Sequence, residues 1–123
     1  MSIAAKKPRR SRAGSCHGER DISGRPFSEI AFDAAHAGEH SFSALGAGGK
    51  QSWVVTAAAL AAAARRGIRG ADLAKVGFAA AAPNTDMVFE RLDPANRAIW
   101  DNAAKAIAAA VRRKDAAEQK EAA

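Results

Sequence analysis

The chain has one cysteine, Cys16, among its 123 residues, so it can form no internal disulfide. Aromatic residues make up only 6%. No apolar run is long enough to span a bilayer: the longest, from Trp53 to Ala64, falls well short. The first twelve residues hold no acid, and no apolar stretch follows them, so they do not read as a secretory signal. These absences argue against a disulfide scaffold and a membrane span, and no secretory signal is expected, although a basic, acid-free start also suits a transit peptide or nuclear signal. A soluble cytoplasmic protein is expected, with no membrane partner.

What is abundant is alanine, roughly a quarter of the chain. Alanine is the best helix former and buries little apolar area. Many helices are therefore expected around a thin core held by a few large side chains. The net charge is +6, and it is unevenly spread. Lys6, Lys7, Arg9, Arg10 and Arg12 crowd the start. Arg65, Arg66, Arg69 and Lys75 face one acid, Asp72, in the middle, and Arg112 and Arg113 lie near the end. The spans 30–64 and 76–110 are close to neutral.

An internal repeat is the strongest signal. Phe42, Leu45 and Trp53 recur as Phe89, Leu92 and Trp100, each 47 residues later. The same step takes Lys50 to Arg97, Leu60 to Ile107, Arg65 to Arg112 and Arg66 to Arg113. Upstream the step is 46, matching Phe27 with Leu73, Ile30 with Val76 and Phe32 with Phe78. Each unit reads as helix, loop, helix. Pro26 suits a helix start, and Gly38, Gly67 and Pro83 suit helix ends. Asp93-Pro94 is an N-cap followed by a first-turn proline. The expected fold is all-α, with four main helices in two tandem helical hairpins. Residues 1–24 read as a disordered basic tail. Residues 25–123 read as one domain, built of repeats 25–67 and 71–114 and ending in a frayed charged segment. The two units should superpose, with Trp53 and Trp100 buried at equivalent places.

Leu92, Arg97, Trp100, Ala103 and Ala104 form the pattern L-x4-R-x2-W-x2-A-A. It resembles the closing signature of small helical proteins encoded by bacteriophages, some of them described as ryanodine-receptor-repeat-like. Leu45, Lys50, Trp53 and Ala57 keep the pattern loosely. The resemblance covers about a third of the chain. It implies an accessory protein of a phage or mobile element and carries over no active-site residue.

Motifs for chemistry are weak. Gly46 to Ser52 looks like a phosphate loop, but Ala44 replaces the first glycine and Gln51 the magnesium-binding hydroxyl. Its counterpart in the repeat, Asp93 to Arg97, is a plain helix start. His36 and His40 are separated by Gly38, which argues against a shared helical face. Cys16-His17 lies in the tail, and a zinc site needs four ligands. Asp86, Glu90 and Asp93 cluster, but Asp93 is accounted for as a cap. No enzyme activity, metal or cofactor is expected.

The candidate binding residues are therefore cations: Lys6, Lys7, Arg9, Arg10, Arg12, Arg65, Arg66, Arg112 and Arg113. The expected function is a non-enzymatic accessory or regulatory module acting through protein contacts or self-association. The alternative is nucleic-acid binding through the tail and the repeated arginine pairs.

Overall fold

The computed structural model describes residues 18–37 and 39–122. It is all-α, and among these residues no β-strand occurs. A lone antiparallel bridge pairs Arg20 with Pro26. Four helices follow in order: α1 (Phe27–Ala35), α2 (Ala47–Arg65), α3 (Gly70–Ala81) and α4 (Pro94–Ala122). A 3₁₀ turn precedes each long helix, Phe42–Ala44 before α2 and Phe89–Arg91 before α4.

Local chemistry sets most of these bounds. The Asp93 carboxylate accepts the Asn96 backbone N–H at 2.9 Å and caps α4. Gly67, at φ 90°, closes α2. There Ile68 N–H reaches the Ala63 carbonyl and Gly67 N–H the Ala64 carbonyl, satisfying two carbonyls the helix end would orphan. α3 stops at Ala81, just before Pro83. α1 ends earlier than its sequence suggests: Ala35 is its last residue, and Ala37 turns the chain at φ 53°. Gly38 lies outside the described residues. α4 continues to Ala122 where a frayed end was expected. Its Ala, Glu, Lys and Gln residues are strong helix formers, and they extend a helix already nucleated by the packed part of α4.

The core is thin, as the composition predicts. Phe27, Phe32, Leu60, Leu73 and Ile107 are its large fully buried side chains. Alanines such as Ala31, Ala57, Ala63, Ala74 and Ala103 fill the rest and let the helices approach closely. α4 packs on all three other helices, while α1 and α3 have at most marginal contact. α1 packs more extensively on α4 than on α2, and α3 more on α2 than on α4. Helix α1 thus leans mainly on α4, and α3 mainly on α2.

Aromatic contacts follow the 46/47 spacing. Phe32 meets Phe42 and Trp53 edge-on at 5.7 Å each. Phe78 meets Phe89 at 6.2 Å and Trp100 at 6.0 Å in the same manner. The two tryptophans are half-buried, where full burial was expected. The two indoles stack on each other, and each stays partly exposed.

Candidate binding groove at the cationic end

α2 and α4 run in the same direction. Their tryptophans stack near the start of each helix, and Arg65 near the end of α2 bonds Asp115 on α4. Both repeated arginine pairs therefore lie at one end of the bundle. The five tail cations, Lys6, Lys7, Arg9, Arg10 and Arg12, lie outside the described residues.

The pairs are used differently. Arg65 donates to both Glu19 oxygens, at 2.9 and 2.7 Å, and to both Asp115 oxygens, at 3.2 and 3.0 Å. Lys114 adds a bond to Glu19 at 2.9 Å and sits 5.6 Å from the Phe27 ring centre. The hydrogen bonds from Arg65 hold the Glu19 carboxyl below its ordinary pKa against an opposing cost of burial. The same carboxylates hold the Arg65 guanidinium above its ordinary value, Glu19 contributing most. This network joins residues 46 to 95 positions apart. It also fixes the segment before α1. Residues 18–24, assigned by sequence to the tail, form a turn in which Asp21 accepts the backbone N–H groups of Ser23 and Arg25. Glu19 clips that turn to the bundle.

Arg112 stands 47 residues after Arg65 but has no carboxylate partner among the described residues. It borders a half-open cavity of about 690 Å³ between α4 and the α2–α3 connection. Ala64, Leu73, Ala104, Ala108 and Val111 give this groove an apolar floor. Arg69, Lys105 and Arg112 stand on its rim, with Asp101 at one end. Asp101, Lys105, Ala108 and Arg112 fall on one face of α4 at successive helical turns. Gly70, at φ 60°, and Ala71 wall the opposite side and open α3, whose start has no side-chain cap. The N–H groups of that first turn add positive potential. Arg69, Lys105 and Arg66 also lack ion pairs among the described residues, while the exposed Arg113 interacts through its charge with the Asp21 carboxylate.

Sequence reasoning singled out Arg112 but missed Lys105 as its companion and Glu19 as the partner of Arg65. The signal for the first was available: Lys105 and Arg112 are seven residues apart on one helix, so they share a face. No local spacing signals the second.

At the opposite end, His36 and His40 come together although Gly38 separates them in sequence. Their rings meet edge-on at 5.3 Å, with Trp53 at 6.1 Å from His36. The turn at Ala37 folds His40 back. Burial, and secondarily the charge of His40, push the His36 pKa down. Among the described residues, no group of three His, Cys, Asp or Glu side chains is placed to hold a metal ion. Cys16 and His17 lie outside those residues. No described helix is long and apolar enough to cross a membrane. No family model, curated protein or solved structure matches the chain.

Proposed function

We propose that this chain is a small non-enzymatic accessory or regulatory module, of the phage or mobile-element kind, that acts in the cytoplasm through protein–protein contacts. The supporting observation is the groove beside α4, where an apolar floor meets three cations without ion pairs. Apolar clefts with a few placed polar groups are what partners bury. A phosphate backbone needs the cations but not the floor. Affinity capture with the tagged chain from extract of its native host, with and without nuclease, tests the reading. Proteins retained after nuclease treatment are the expected result. Proteins that all vanish would remove it.

A nucleic-acid-binding role is the second reading. It is favoured by one observation: Arg66, Arg112 and Arg113 are exposed at one end of the bundle, Arg66 and Arg112 without ion pairs. With the five tail cations they would supply a sequence-independent phosphate footprint.

A further inference from the structure

We infer that the groove beside α4 takes an acidic amphipathic helix of a partner protein, with carboxylates two turns apart seated on Lys105 and Arg112. The inference rests on the protein-contact reading and names the partner's chemistry.

The first argument is internal to the molecule. Arg65 and Arg112 hold equivalent places in the 47-residue spacing. On α2 the chain closes over that place itself. A Cβ on Gly18 would come within 3.2 Å of Val54, and Glu19 grips Arg65 through two hydrogen bonds. Val54 and Arg65 correspond to Asp101 and Arg112, the two ends of the open groove on α4. One half of the molecule thus shows an arginine at this position held by a carboxylate from a crossing segment. In the other half the same arginine faces a cavity of about 690 Å³ and has no carboxylate partner among the described residues, the one acid of the lining, Asp101, lying about three helical turns away. An acid from outside the chain completes the second half as Glu19 completes the first.

The second argument is spacing. Seven residues along α4 separate Lys105 from Arg112 by about 10.5 Å at 1.5 Å per residue. One small carboxylate reaches one of these cations. A helix lying along α4 with two acids seven residues apart reaches both, and its apolar stripe then covers the half-buried Ala64, Ile68 and Ala108. Asp101 gives the groove a polarity, since a base on the partner beyond the two acids pairs with it. Helix-in-groove recognition reads such spaced anchors.

The test uses the full chain and a labelled synthetic amphipathic helix, with leucines on one face and two glutamates seven residues apart beside them. Lys105 and Arg112 are exposed, so charge reversal at both leaves the core intact. The expected result is saturable binding by wild type, weakened about tenfold or more by Lys105→Glu with Arg112→Glu. Binding should be restored when the two peptide glutamates become lysines. Equal binding by a peptide with its glutamates on the opposite face would overturn the inference, as would loss without restoration. Preferential binding of a random-sequence DNA duplex that the charge reversal abolishes would overturn it as well. No peptide binding at all overturns the groove assignment alone. The wider protein-contact reading fails only if nuclease-resistant capture is empty.

Discussion

The indole rings of Trp53 and Trp100 stack with centroids 5.7 Å apart and planes inclined by 22°. Phe32 abuts the first and Phe78 the second, so six aromatic groups, with Phe42 and Phe89, link all four helices at one end. In an alanine-rich core such a cluster carries a large share of the packing. Trp53→Ala or Trp100→Ala should each cost about 2–3 kcal/mol, less than truncation of a fully buried tryptophan because each side chain is only half-buried. The effects should not add. A double-mutant cycle in urea should show coupling of about 0.5–1.5 kcal/mol, the worth of one stacked pair. Strict additivity would mean that the rings do not stabilise each other.

Two glycines in helices should respond in opposite directions to the same change. Gly48 lies in the first turn of α2, and a Cβ there meets open space. Gly48→Ala should stabilise by about 0.5 kcal/mol through reduced backbone entropy in the unfolded chain. Gly77 lies inside α3, and a Cβ there comes 3.1 Å from Leu60, which is fully buried and has nowhere to retreat. Overpacking costs about 1–3 kcal/mol and outweighs the gain of about 1 kcal/mol in helix propensity. Gly77→Ala should therefore destabilise. Urea midpoints at unchanged m-value measure both effects.

Much of this architecture is legible in the sequence. Asp93-Pro94, Gly67 and Pro83 are local signals whose effect is decided within a few residues, so they mark helix ends in the sequence. The large side chains at steps of 46 and 47 were legible because alanine supplies so plain a background. The Glu19 clip was not legible, since it pairs groups 46 and 95 residues apart. A single glutamate in a basic segment looks like any solvated acid. Nor was the difference between Arg65 and Arg112, because equivalent positions in sequence do not reveal which one a neighbouring segment reaches. The partial exposure of the tryptophans depends on how the four helices pack against one another, which apolar spacing along each helix does not encode.

The Glu19 clip should make stability depend on pH. Its carboxyl lies below the ordinary value of 4.5 in the folded chain, mainly because Arg65 bonds the charged form. Between the folded value and 4.5 the unfolded chain binds more protons, so stability rises with pH across that window. The contribution is fully present above about pH 4.5 and is lost as pH falls through the folded value. Glu19→Gln should cost about 1 kcal/mol at neutral pH, the scale of a partly exposed charged network. The gap between wild type and variant should close in acid. Melts at a series of pH values check this, and a gap independent of pH would show that the charge contributes nothing.

Salt dependence separates the two readings of the cations, and the structure changes how many of them count. Each phosphate neutralised on duplex DNA gives a slope near −0.9 in log affinity against log salt. The five cations at positions 6, 7, 9, 10 and 12 could therefore contribute a slope of up to about 4, which removal of residues 1–12 would abolish. Of the repeated arginines, Arg66 and Arg112 are unpaired among the described residues, Arg113 interacts through its charge with Asp21, and Arg65 is held by Glu19 and Asp115. If DNA is the partner, Arg112→Gln should flatten the slope by about 1. Arg65→Gln should leave the slope nearly unchanged and lower stability instead. If a protein is the partner, tail removal should slow association and reduce salt sensitivity, with little effect on dissociation. Titration with random-sequence duplex at low and moderate salt decides between them. At a net charge of +6, failure to bind even at low salt would eliminate the nucleic-acid reading.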